Sequence, residues 1–263
     1  MSSRPRARWL LLPMLALLSG CLGASAERPD PYESFNRGIF EFNNQVDTYA
    51  LEPVAKGWSF ITPEDFRIAL GKFFQNLRFP VRFLTNLGQG EVKRSGSELA
   101  RFITNSTVGL LGFFDPATRF GLGKYPGDFG LMFGRWGVPS GPYWVIPLVG
   151  PSNPRDGVGY VFDSVLNPFS LARTVVAVSG AITSTVNGRA LAEAQVDLAR
   201  EAALDLYVFV RDAYIQRRIA QIRNQDLFES DTPEPDEDDL YNLPDDLYQL
   251  EDEPNEVEAD GLR

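Results

Sequence analysis

The chain has no histidine and one cysteine among its 263 residues. The first absence removes the commonest general base and the usual metal ligand together. The second excludes an intramolecular disulfide and any cysteine-based metal cluster. There is no Gly-x-Ser-x-Gly elbow, and Gly121-Leu122-Gly123-Lys124 is too short for a phosphate-binding loop. No stripe of Lys and Arg stands out to neutralise phosphates along a duplex, so a nucleic-acid partner is not expected. A transmembrane β-barrel needs many alternating segments of about ten residues; the region from Tyr143 to Ile146 is the one candidate. These absences weigh against an enzyme before any motif is considered.

Charge is unevenly placed. The formal net charge is −10, yet 15 acidic residues and a single Arg lie between Glu229 and Arg263. The remainder is close to neutral, so the acidity belongs to a tail. Arg4, Arg6 and Arg8 precede an apolar run from Trp9 to Leu18 that only Pro13 interrupts, and small residues follow at Ser19 and Gly20. Ten residues make roughly 15 Å of helix against ~30 Å of hydrocarbon. Residues 1–20 therefore read as an export signal, not a span. Leu18-Ser19-Gly20-Cys21 resembles the lipobox of bacterial lipoproteins, which implies acylation of Cys21 and cleavage before it. Each buried methylene contributes about 0.8 kcal/mol to such an anchor. Leu22 stands where an inner-membrane retention signal places Asp, pointing to the outer membrane of a Gram-negative host.

After a linker over 21–29, residues 30–225 read as a helical domain. Asp30-Pro31 is a start signal, and Phe35, Ile39, Phe42 and Val46 recur at helical spacing with Asn36, Arg37, Asn43 and Asn44 on other faces. Thr62-Pro63-Glu64-Asp65 opens a second helix carrying Phe66, Leu70, Phe73, Phe74 and Leu77, which Pro80 ends or kinks. A third is expected from about Glu91 to Thr107, with Leu99, Phe102, Ile103 and Leu110 on its apolar side. Asn167-Pro168 starts another that continues to Asn187-Gly188. Its uncharged run of about fifteen residues makes roughly 22 Å of helix, which suits one leaflet or a protein core equally. A last helix is expected from about Arg189 to Arg223, with Leu204, Val208, Ile215, Ile219 and Ile222 on one face. Its final turns hold Arg217, Arg218 and Arg223, either a capped helix end or a headgroup contact. Residues 226–263, acidic and rich in proline, are expected to be disordered. Leu240-Tyr241-Asn242-Leu243 and Leu247-Tyr248-Gln249-Leu250 within them are either docking motifs or solvated tail.

The stretch from Gly121 to Gly159 holds ten Gly and six Pro, a density that predicts neither an ordinary helix nor a central strand. It also holds Phe129, Phe133, Trp136, Tyr143, Trp144, Val145 and Ile146, which a disordered linker would lack. An ordered, irregular segment is expected, either packed at an interface or pore, or forming a long structural loop. Asp115, Asp128, Asp156 and Asp163 are the carboxylates from which a glycosidase pair could be drawn; Asp in such a context is more often a turn or cap residue.

The blocks Asp30-Pro31-Tyr32-Glu33-Ser34-Phe35-Asn36-Arg37, Glu52-Pro53-Val54-Ala55, Asn86-Leu87-Gly88-Gln89-Gly90, Asp115-Pro116-Ala117, Gly141-Pro142-Tyr143 and Arg211-Asp212-Ala213-Tyr214 resemble, in order and spacing, the VacJ/MlaA family of outer-membrane lipoproteins. Asn44-Gln45 departs from that pattern. The resemblance spans roughly residues 30–223. It implies an all-α, ring-like domain embedded in the inner leaflet of the outer membrane, with an amphipathic channel and no cofactor or metal. It further implies removal of misplaced phospholipids from the outer leaflet, delivery to a soluble periplasmic phospholipid carrier, and association with an outer-membrane porin trimer. Phe42, Asn43, Trp136, Gly137, Gly141, Tyr143 and Trp144 are the candidate channel residues on this basis, and Arg211, Arg217 and Arg218 the candidate headgroup contacts. A structural porin-associated lipoprotein without transport is the alternative.

Overall fold

The computed structural model describes residues 30–168, 172 and 174–223. The expected signal peptide, Cys21 with its linker, and the acidic tail lie outside the described residues. The chain divides into two units, Met1–Glu229 and Ser230–Arg263, and every described residue belongs to the first.

Helix α1 (Glu33–Val46) runs through a π-helical turn (Asp47–Leu51) into α2 (Glu52–Ile61). Pro53 has no amide to donate to the carbonyl four residues earlier and its ring crowds that carbonyl, so the helix widens instead of ending. Helix α3 (Glu64–Leu77) stops at Arg78, and α4 (Phe79–Gly88) restarts with Pro80 in its first turn. Then follow α5 (Val92–Thr107), the short α6 (Pro116–Arg119), α7 (Phe129–Arg135), a hairpin of β1 (Trp144–Ile146) and β2 (Gly150–Ser152), α8 (Pro154–Leu166), α9 (Thr174–Leu191), α10 (Glu193–Ala202) and α11 (Leu206–Arg223). The fold is mostly helical. Among the described residues no helix is long and apolar enough to cross a membrane.

The polarity of this body is inverted relative to a water-soluble protein. Helix α5 buries Arg94, Ser95, Glu98, Arg101 and Asn105, while Leu99 and Ile103 face outward. In α1 the one buried residue is Asn36, at 0% exposure, and Phe35 and Phe42 are exposed. Among the described residues buried polar side chains outnumber buried apolar ones. Monomeric soluble proteins rarely leave large apolar patches in water, and buried polar groups persist only when they are paired. The buried polar residues of α1 and α5 are paired. Glu98, with no exposed surface, accepts from Arg82 Nε at 2.6 Å and from the Tyr125 amide at 2.8 Å. Arg101 donates to Asp115 at 2.7 Å, and Asn105 to the same carboxylate at 2.9 Å.

Three sequence expectations are corrected. The Gly/Pro-rich stretch contains α7, the hairpin and the start of α8; Gly130 and Gly159 lie where α7 and α8 cross. A Cβ on Gly159 would stand 2.3 Å from the Gly130 amide nitrogen; the close approach of α7 and α8 outweighs a helix-propensity loss of ~1 kcal/mol per Gly. Asn187-Gly188 does not end a helix: α9 continues to Leu191, with Asn187 accepting from Trp58 Nε1 at 3.0 Å and donating to the Arg67 carbonyl at 2.9 Å. The long final helix is broken into α10 and α11, since Ala203 is extended and Asp205 caps the new start through the Val208 amide at 3.1 Å. Leu204 consequently lies outside the helix whose face it was expected to share.

Candidate functional site

The hairpin pairs Trp144 with Ser152, Val145 with Pro151 and Ile146 with Gly150. Two strands of this length are marginal alone, and α1 supplies what is missing. Asn36 donates to the Tyr143 carbonyl at 3.1 Å and accepts from the Val145 amide at 3.0 Å. Asn43 donates to the Ile146 carbonyl at 3.0 Å and accepts from the Leu148 amide at 2.8 Å. Two helical turns advance about 10 Å, as do three strand residues. The two carboxamides therefore read the β1 edge as a third strand would. The second Asn36 hydrogen goes to Asp30 at 2.8 Å, and Asp30 also accepts from the Tyr207 hydroxyl. Leu148, at the hairpin tip, is exposed and holds a φ of 62°.

Beneath the hairpin, Tyr143 packs against Tyr207 and Tyr214 with ring centroids 6.3 and 6.0 Å apart. Burial, with the Asp30 charge after it, pushes the Tyr143 phenol up to about 12, and its hydroxyl has no hydrogen-bond partner among the described residues. Next to it lies an ionic cluster. Arg218 of α11 donates to Asp128 at 2.8 Å and to Asp156 at 2.7 Å, while Tyr214 and Asn153 donate to the same Asp156 oxygen at 2.5 and 2.9 Å. Burial pushes the Asp156 carboxyl up, but the hydrogen bond and charge of Arg218 bring it below its ordinary value. Asp128 also caps α7 through the Leu131 amide at 2.8 Å. One guanidinium thus ties the starts of α7 and α8 to α11. Asp163 is different: burial pushes its carboxyl up to about 6, opposed by the Phe129 amide it accepts from at 3.1 Å.

The MlaA lipoprotein family model matches residues 28–221. The chain belongs to that family. A Haemophilus influenzae relative, the intermembrane phospholipid transport system lipoprotein MlaA, is 33% identical over 245 residues, covering 86% of this chain and 94% of its own. The Escherichia coli K12 protein of the same name is 32% identical over 211 residues, covering 76% and 82%. A solved structure described as the structural basis for maintenance of bacterial outer membrane lipid asymmetry superposes with a TM-score of 0.63 at 31% identity, covering 72% of this chain and 96% of that one.

Within this member of the MlaA family the residues singled out by sequence fall into distinct places. Asn43 clamps the hairpin, and Phe42 beside it is exposed. Tyr143 is buried under the hairpin; Trp144 faces outward from β1. Trp136 is 59% exposed, its indole donating to the Gly88 carbonyl at 3.0 Å. Gly137 and Gly141 both have positive φ, 85° and 72°; a Cβ on Gly137 would meet open space, and one on Gly141 would meet Pro154 at 3.0 Å. Arg211 pairs with Asp212 at 2.8 Å, Arg218 is held by two aspartates, and Arg217 is exposed. Asp115 caps α6 and Asp128 caps α7, while Asp156 is bound by Arg218 and Arg155, so three of the four candidate catalytic carboxylates are engaged in holding the fold. Asn36, Asp30 and Tyr207 are not among the candidate site residues drawn from the sequence; the repeat of asparagine two turns apart, Asn36 and Asn43, is the signal that points to the clamp.

Proposed function

We propose that this chain is an outer-membrane lipoprotein, acylated at Cys21, that takes misplaced phospholipids from the outer leaflet and hands them to a soluble periplasmic carrier without chemistry on the lipid. The observation that carries the reading is the inverted polarity of the body in a member of the MlaA family. Its apolar exterior suits acyl chains and its paired polar interior suits a route for headgroups. A lipid drawn into water exposes two tails at about 0.8 kcal/mol per methylene; a ring-like helical body lying in the inner leaflet would keep most of that surface covered. Phe42, Trp136 and Trp144, being exposed aromatics, fit contact with lipid at the interface. Gly137, Gly141, Tyr143 and Asn43 would shape the passage through the hairpin they hold. Of the basic residues at the end of α11, Arg217 fits headgroup contact best, because the charges of Arg211 and Arg218 are already matched. A porin trimer is the expected neighbour in the membrane.

The experiment is deletion with complementation, reading phospholipid exposed in the outer leaflet. Loss of the protein should raise that lipid, and the wild-type chain should restore it. A cysteine-to-serine change at Cys21 should fail to restore it. Unchanged leaflet composition after deletion would reduce the protein to a scaffold beside the porin.

A further inference from the structure

Away from the hairpin, α3, α4, α5 and the segment after α6 enclose a small cavity of about 20 Å³. Four cationic side chains line it: Lys72, Arg82, Arg101 and Lys124. Asp115 is the only acid in the lining; it holds Arg101 at 2.7 Å, and Glu98 holds Arg82 from behind at 2.6 Å. Lys72 and Lys124 are exposed and stand at the rim of the cavity; Lys124 Nζ meets only the neutral Gln75 carboxamide, at 2.6 Å, and Lys72 has no partner among the described residues. Two of the four charges are therefore unmatched and face one space. We propose that this cavity is an anion site that takes a phosphate group, as a phospholipid headgroup or as free phosphate.

The fit follows from size and donor chemistry. A space of about 20 Å³ holds roughly one water-sized atom, so a single phosphoryl oxygen would enter and the rest of the group would sit at the mouth. There is no room for an acyl chain. Arg82 and Arg101, their charges matched by Glu98 and Asp115, give a rigid floor, whereas the lysines at the rim move as unmatched point charges to meet the guest. Partial loss of water around the amine, and the Arg101 and Arg82 charges after it, push Lys124 below its ordinary value although its side chain is exposed; an anion in the cavity would relieve that repulsion. If the guest is a headgroup, the site deepens the phospholipid reading and rests on it. The phosphate site itself does not.

The test titrates the full-length acylated protein in dodecyl maltoside with inorganic phosphate and, separately, with dihexanoyl-phosphatidylglycerol below its micelle concentration, by calorimetry. The double variant K72Q/K124Q should bind either probe at least about ten-fold more weakly, since charge-assisted contacts dominate such sites. Lys93→Gln, which removes an exposed lysine outside the cavity, should change affinity by less than about two-fold. Tighter binding of the short-chain lipid would identify headgroups as the source, and tighter binding of phosphate a free anion. Absence of binding by both probes, or equal affinity in the double variant, would overturn the site. A protein that restores outer-leaflet composition yet ignores both probes would lose this site and keep its proposed function; one that binds phosphate and moves no lipid would do the reverse.

Discussion

Replacing Asn36 by Ala removes the central peg of the hairpin clamp. The Tyr143 carbonyl and Val145 amide lose their side-chain partner at a position with no exposed surface, and Asp30 loses a donor. An unsatisfied buried donor or acceptor costs about 1–3 kcal/mol, so two backbone groups together give about 3–4 kcal/mol. Water reaches the outer clamp more easily. Leu148 is exposed, and Asn43→Ala should therefore cost only about 1 kcal/mol. The assay is amide hydrogen exchange on the protein in detergent, read at the hairpin. Since 1.4 kcal/mol corresponds to about ten-fold in an equilibrium constant, Asn36→Ala should lower protection of the Val145 amide by about a hundred-fold or more. Asn43→Ala should lower protection of Leu148 by less than about ten-fold and leave Val145 nearly unchanged. Equal, small effects from both would show that the hairpin is held by something other than the α1 carboxamides.

Three further outcomes follow from the same geometry. Arg218→Met leaves Asp128 and Asp156 without their shared cation and should destabilise the body by about 3–5 kcal/mol; Arg217→Met, one residue earlier and exposed, should change it by less than about 0.5 kcal/mol, both read by denaturant unfolding. The Asp163 carboxyl, pushed up to about 6 in the fold from an unfolded value near 3.9, binds its proton more tightly when folded. The stability this one group contributes is greatest below pH ~4 and is lost as pH rises through ~6, so Asp163→Asn should stabilise by about 1–2 kcal/mol at pH 8, allowing for partial screening by solvent, and by almost nothing at pH 4. Gly141→Ala forces a side chain into a φ of 72° and against Pro154 and should cost about 1–2 kcal/mol; Gly38→Ala, in α1 with open space around it, should instead stabilise by about 0.5–1 kcal/mol. The Gly141 result matters for design, since a bulky residue there would strain the turn whether or not a passage runs beside it.

Several helices were legible in the sequence because Pro31, Pro63 and Pro80 punctuate it and because apolar residues recur at helical spacing. The direction of each face was not. Phe35 and Leu99 mark their apolar stripes correctly, but periodicity cannot say whether a stripe meets a core or a lipid, and here the asparagine and arginine stripes turn inward. The glycine-rich stretch misleads for a related reason: propensity is a local quantity, whereas the approach of Gly130 to Gly159 is tertiary. The hairpin was visible as one apolar segment around Tyr143 to Ile146, yet its anchoring by Asn36 and Asn43 joins residues over a hundred positions apart, which no local pattern carries. The cap roles of Asp115 and Asp128 could be read from their setting; their pairing with Arg101 and Arg218 could not, because opposite charges reveal partners only once the helices are packed.

The proposed function requires lipid, not water, to cover the apolar exterior. Nitroxide labels at Leu99, Val161 and Ile182, all exposed, in the acylated protein reconstituted into vesicles, should be relaxed by dissolved oxygen and shielded from a water-soluble nickel chelate. Strong relaxation by the nickel chelate at all three positions would place those faces in water and contradict it.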